Sequence, residues 1–110
     1  MSIEQTDTID FVNIDKGSGD VLLTISDHLD WDQTEGQHLM LLQGKLNAYL
    51  RFIESGELYQ KYPEASERPV IIQIVSKFPM SQKAEIFFER ASGAIDEAGF
   101  KLRFKLFHPN

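Results

Sequence analysis

The stretch Val70-Ile71-Ile72-Gln73-Ile74-Val75 decides the fold class of this chain. Its apolar residues occupy both alternating positions, so a strand here would be buried on both faces, as is typical of the centre of a sheet with parallel neighbours. Pro69 directly precedes the stretch, and proline is compatible with the first position of a strand. We therefore predict a central strand that begins after Pro69.

A second helix and a last strand follow. We predict the helix over Ser81–Ala98, because one of its faces is apolar at steps of three and four; this face holds Ala84, Phe87, Phe88, Ala91 and Ile95. Gly99 is expected to end the helix in a left-handed conformation. From Phe100 to Phe107, large apolar residues alternate with bases, which predicts a strand with one buried face.

A longer helix is predicted before the central strand, from Asp32 to about Ser55. Its apolar positions recur at steps of three and four, at Leu39, Leu42, Leu46, Tyr49, Leu50 and Ile53. Asp32 is the expected N-cap, with Glu35 completing a capping box. Gly56 is expected to close the helix as a left-handed cap. The segment 58–63 indicates one further helical turn, which Pro63 would stop.

The first two strands are predicted over Thr8–Ile14 and Val21–Ile25, with Ile9 and Phe11 together on one face. Between them, Asp15–Asp20 is rich in turn residues and predicts a hairpin. The element order becomes ββαβαβ. Because both helices are apolar on one side only, we expect an α+β two-layer sandwich: a mixed four-stranded sheet with both helices on one face.

Composition excludes several classes of function. The 110 residues suffice for one domain, expected over 1–110. The chain has no cysteine, which excludes disulfide scaffolds, thiolate metal sites and cysteine nucleophiles. We expect a cytoplasmic protein, because the N-terminus shows no signal peptide and no apolar run is long enough for a membrane span. The net charge of −6 disfavours nucleic acid as a partner.

Four segments resemble a bacterial family of uncharacterised small single-domain proteins. They are Ile25-Ser26-Asp27-His28-Leu29-Asp30-Trp31, Leu41-Leu42-Gln43 through Tyr49, Phe52-Ile53-Glu54-Ser55-Gly56 and Glu97-Ala98-Gly99-Phe100. The resemblance covers most of the chain and implies a bacterial, single-domain protein. No catalytic residue is assigned in that family, so the resemblance implies no chemistry and no cofactor.

The turn before the first helix concentrates potential metal ligands. A divalent metal site, and with it a metal-dependent enzyme, would use Asp27, His28, Asp30 and His38. However, the spacing matches no established metal motif. The alternative is that these groups cap the helix and lie in solvent near its positive end; on that interpretation no cofactor is expected.

Trp31, the only tryptophan, has two interpretations. It either packs at the start of the helix, on Leu29 or the sheet edge, or forms an exposed anchor for a protein partner.

The sheet face away from the helices is a second candidate surface. The strand phases predict an apolar strip of Val12, Leu22, Ile71 and Val75, with Ile14 also outward, beside a basic stripe of Lys77, Lys101, Arg103 and Lys105. Such a face favours homodimerisation or the docking of an acidic partner. The alternative is a solvated face on which Asp10 and other acids neutralise the bases across strands.

The sequence therefore favours a non-enzymatic interaction or regulatory domain. Its expected contacts are Trp31 and the outward residues, that is Leu22, Ile71, Val75, Lys77, Lys101, Arg103 and Lys105. A small metal-binding protein or metal-dependent enzyme remains the alternative.

Overall fold

A computed structural model describes residues 3–5, 8–32 and 34–107. The elements follow the order β1 (Phe11–Ile14), β2 (Val21–Asp27), α1 (Glu35–Glu54), α2 (Glu57–Lys61), β3 (Val70–Ser76), α3 (Gln82–Glu97) and β4 (Lys101–Leu106). A short 3₁₀ turn, Pro63–Ala65, lies between α2 and β3. The α+β class is confirmed, and α2 is an element that the predicted order did not count. It arises because Gly56, at a φ of 88°, ends α1 and turns the chain into a new helical segment.

The four strands form one mixed sheet in the order β1-β2-β3-β4. β1 pairs with β2 antiparallel, whereas β2 with β3 and β3 with β4 are parallel. β3 therefore lies in the interior of the sheet, as its apolar sequence predicts. In the predicted hairpin the Asp15 N–H donates to the Asp20 carbonyl at 2.8 Å, and Gly19 has a φ of 79°.

One face of the two middle strands supplies the core. It consists of the fully or almost fully buried residues Val21, Leu23, Ile25, Val70, Ile72 and Ile74. These side chains join one apolar cluster with residues of both long helices, including Leu46 and Tyr49 of α1 and Ile95 of α3. The intervening positions of the same strands are only half-buried, which makes the two sides of the sheet unequal.

α1 begins later than predicted. Its N-cap is Thr34, without a side-chain capping bond, so the prediction of Asp32 as N-cap is wrong. Glu35 instead accepts a hydrogen bond from the Ser81 hydroxyl at the start of α3. The same Ser81 oxygen caps α3 by accepting the Ala84 N–H at 3.2 Å. The two helix starts are thus tied to each other rather than capped independently.

The end of α3 yields a prediction with a matched control. Gly99 has a φ of 98°, and the Phe100 N–H donates to the Ile95 carbonyl at 3.0 Å, as in a Schellman motif. Replacing Gly99 by alanine is expected to destabilise the chain by about 1–2 kcal/mol, because left-handed backbone is costly for a residue with a Cβ. Gly93 lies exposed inside α3 with open space around it, and Gly93→Ala should stabilise by about 0.5–1 kcal/mol. Urea denaturation of both variants measures this, and effects of equal sign would contradict it.

None of the helices in the described part of the chain combines the length and the hydropathy of a membrane-spanning segment.

Candidate functional site

The half-buried side of the sheet is the first candidate site, and we call it the open face. The strand register aligns its side chains in three rows: Asn13, Leu22, Ile71 and Lys101; then Phe11, Thr24, Gln73 and Arg103; then Ser26, Val75 and Lys105. Leu22 and Ile71 are neighbours in the first row, whereas Val75 lies two rows away, beyond Thr24 and Gln73. The middle strands therefore present both apolar and uncharged polar side chains on this face, and the bases lie on the β4 edge.

The bases of the open face form a continuous stripe. Lys101, Arg103 and Lys105 are all exposed along β4, and exposed Lys77 follows the end of β3. Lys101 forms an ion pair with Asp96 at 2.5 Å. Among the described residues, the other three bases form no ion pair, and none of the three rows contains a carboxylate. Three positive charges are consequently available to a ligand.

A cavity of about 590 Å³ lies at the end of the open face where β2 and β3 terminate. Its walls include three exposed aromatic rings: Phe11 is 54% exposed, Phe78 36% and Phe107 51%. Val75 and Lys77 complete its boundary with the basic stripe. The open face therefore ends in an aromatic cavity; the sequence predicted that Val75 and Lys77 face outward here, but not that Phe11 and Phe78 do.

The predicted phase of β1 is wrong. Val12 pairs with buried Leu23 and Ile14 with buried Val21, so both lie on the core side of the sheet. Phe11, expected in the core, lies opposite Thr24 on the open face. A shift of one residue exchanges the faces of a whole strand. It also turns Asp10 inward, which removes the predicted neutralisation of the bases by that carboxylate.

Trp31 belongs to the core rather than to the surface. It is 7% exposed and stacks on His38, with ring centroids 3.5 Å apart and planes inclined by 13°. The partner-anchor interpretation of Trp31 is therefore corrected in favour of packing at the start of α1. The buried Trp31 ring holds the β2–α1 turn in place, because it packs against His38 of α1, the helix that follows the turn.

His38 and Asp27 form a buried pair beneath this turn. The His38 Nε2 atom lies 2.6 Å from Oδ2 of Asp27, and both side chains are at most 1% exposed. The His38 Nδ1 atom lies 2.9 Å from the Asp30 carbonyl oxygen, which can only accept, so Nδ1 carries a hydrogen. Nε2 faces a carboxylate, and a second proton must therefore lie between the ring and Asp27. Burial raises the pKa of the Asp27 carboxyl, against an opposing effect of the His38 contact.

The four predicted metal ligands do not converge. Only Asp27 and His38 meet; the His28 ring lies 3.5 Å from Glu4, and the Asp30 carboxylate accepts the Asp32 N–H. In the described parts of the chain, no group of three or more histidine and acidic side chains is arranged to hold a metal ion. Both His38 nitrogens are engaged, so the metal alternative lacks a ligand set in this geometry.

A second buried polar network centres on Lys45 of α1. Its ammonium donates to Asp10 Oδ1 at 2.9 Å and to the carbonyls of Gln5 and Thr8 at 2.6 and 2.5 Å, and both charged side chains are fully buried. Tyr49, one helical turn on, accepts the Asp10 N–H and donates to the Thr24 carbonyl. Burial raises the pKa of the Tyr49 phenol. Together these bonds tie the segment before β1 to α1.

Sequence reasoning missed this network, although one signal was present. Lys45 lies three residues after Leu42 and directly before Leu46, within the apolar face of the predicted helix. A lysine on a buried helix face requires a hydrogen-bond acceptor. Asp10, an acid inside the first predicted strand, was a candidate for that acceptor.

A family model described as "Family of unknown function (DUF6572)" matches residues 1–108. No curated protein sequence and no solved structure matches the chain.

Proposed function

We propose that this chain, which belongs to a family of unknown function, is a non-enzymatic protein-interaction domain. It binds an acidic segment of a partner protein on the open face. The observation that carries this proposal is the stripe of bases, three of which form no ion pair among the described residues, beside apolar side chains on a chain whose net charge is −6.

The proposal includes a two-layer arrangement, with both long helices on the side of the sheet opposite the open face. In support, every strand residue of the core cluster from β2 and β3 lies on one side, and α1 and α3 contribute to that same cluster. On the other side, none of the elements in the described part of the chain then covers Leu22, Ile71 and Val75. A partner segment would remove these side chains from water.

The charge of the stripe selects the chemistry of the partner. Arg103, Lys105 and Lys77 are exposed, and none of them forms an ion pair with a described residue; the charge of Arg103 also acts at longer range on the Asp15 carboxylate. An acidic ligand gains from complementary charge in both the rate of association and the choice of partner. Arg103 in particular presents a planar fork that suits a carboxylate. A nucleic acid would meet the same bases, but its dense and extended negative charge is repelled by the rest of this acidic chain more strongly than a short acidic segment is.

A second copy of the chain is a poorer occupant than an acidic partner. The open-face rows contain bases and no acids, so two copies packed face to face would bury positive charge without a counter-charge in either orientation. Like charges placed opposite each other across an interface cost several kcal/mol. A predominantly dimeric species in native mass spectrometry would contradict this step.

The experiment is a selection of a random linear peptide library on the chain, followed by affinity measurements with the selected peptides. We expect acidic peptides to be enriched and Arg103→Glu to weaken their binding by at least about tenfold, since tenfold corresponds to about 1.4 kcal/mol. Arg90→Glu is the matched control, because it makes the same change in charge at an exposed site on α3. Equal losses in both variants, or enrichment without acidic residues, would refute the proposal.

A further inference from the structure

The aromatic cavity and the basic stripe meet at one point of the open face. Val75, which lines the cavity, is the register partner of Lys105, the last base on β4. Lys77 lines the cavity and belongs to the stripe. A ligand bound along the stripe therefore reaches the cavity without leaving the face. We infer that the cavity receives one apolar side chain of the acidic segment. The ligand would then have acidic residues at alternate positions, followed by an apolar residue that anchors it in the cavity.

This inference rests on the proposed function and adds the pattern that the partner must carry. Arg103 and Lys105 are two residues apart on one strand, which separates them by about 7 Å. An extended peptide repeats its side chains on one face at the same interval of about 7 Å. Acidic residues at alternate positions of a bound segment thus match the two bases, and the next position in the same series lies over the cavity.

The cavity suits an apolar group on both size and chemistry. Its volume of about 590 Å³ falls in the range of about 300–1,000 Å³ that is common for ligand pockets. Phe11, Phe78 and Phe107 present ring surface to its interior while remaining at least one-third exposed. The Asp27 carboxylate also belongs to the lining, but it is 2% exposed and bound to His38. An apolar side chain would therefore replace water against the rings, as anchors do in protein interfaces.

The test uses the acidic peptides selected on the unaltered chain. Their consensus should contain acidic residues at alternate positions and one aromatic or branched aliphatic residue next in the series. Replacing that apolar residue of the peptide by alanine should weaken binding at least about tenfold. The inference of an apolar anchor would be refuted by a consensus with acidic residues only. It would also be refuted if the peptide with alanine in place of the apolar residue binds equally well.

A pair of variants in the protein tests the location. Ser26→Phe places a ring inside the cavity from the side of β2 without changing charge, and it should weaken the binding of the selected peptides at least about tenfold. Asn13→Phe introduces the same ring at an exposed open-face position outside the cavity, and its effect should stay below about twofold. If Ser26→Phe does not fold, Phe107→Ala removes an exposed wall instead and should produce the same loss. The fluorescence of Trp31, the sole tryptophan, reports whether each variant is folded.

The outcomes separate this inference from the proposed function. If Arg103→Glu abolishes binding while Ser26→Phe and Phe107→Ala leave it unchanged, the acidic partner stands and the cavity has no part in recognition. If Arg103→Glu has no effect on binding, the proposal of an acidic partner is refuted, whichever residue the cavity accepts.

Discussion

Replacing Lys45 by methionine is expected to lower the free energy of unfolding by about 3–5 kcal/mol, because it leaves a fully buried Asp10 carboxylate without its counter-charge. Methionine preserves the length and apolar stem of the side chain, so the effect reports the ammonium rather than a cavity. The substitution also removes the donor of the Gln5 and Thr8 carbonyls. Equilibrium denaturation in urea measures the loss.

The matched control is Lys61→Met. Lys61 pairs with Glu57 at 3.2 Å on the surface, with side chains 62% and 49% exposed, and its loss should cost less than about 1 kcal/mol. The double variant Lys45→Met with Asp10→Asn should be more stable than the sum of the two single losses predicts, since no charge remains buried. Equal effects of Lys45→Met and Lys61→Met would show that the Asp10–Lys45 pair does not hold the segment before β1.

The sequence predicted those elements whose local signals agree with their packing. β3 is apolar at nearly every position, and this composition correctly predicted that it lies in the interior of the sheet, between β2 and β4. The end of α3 depends on Gly99, whose left-handed conformation few other residues adopt. The alternation of Lys101, Arg103 and Lys105 with apolar residues assigned the faces of β4 correctly. In each case, one short segment contains the decisive information.

Features that depend on distant partners were beyond sequence reasoning. The phase of β1 follows from its register, Phe11 against Thr24, and from the attraction of Asp10 to Lys45, thirty-five residues away. The position of Trp31 follows from its stacking on His38, which is also non-adjacent in the chain. Within β1 the polar Asn13 shares a face with Phe11 and so favours the observed phase, but grouping Phe11 with Ile9 outweighed this single residue. The cavity was missed for the same reason, since Phe11 was assigned to the core.

The Asp27–His38 pair provides a prediction about pH. Because burial raises the pKa of Asp27 above the ordinary value of 3.8, the folded chain retains a proton that the unfolded chain has lost, over a range of pH that begins near 3.8. The free energy of unfolding therefore falls as the pH rises through the folded-state pKa of Asp27. In the unaltered chain His38 limits this fall, because it shares the proton with the carboxylate.

Replacing His38 by phenylalanine should remove that protection while keeping a ring against Trp31. Near about pH 4 the raised pKa of Asp27 favours its neutral carboxyl in the folded variant, so the loss of stability should be smaller than at higher pH. Near about pH 8 the variant must either bury an unpaired carboxylate or hold its proton at a cost, and the loss of stability should reach about 3–5 kcal/mol.

Asp27→Asn is the matched variant. Its amide donates a hydrogen bond to the Nε2 atom of neutral His38, so the stability that this variant loses should not grow with pH over the same interval. Urea denaturation followed by Trp31 fluorescence measures both variants, and a loss in His38→Phe that is constant with pH would show that Asp27 does not carry the effect.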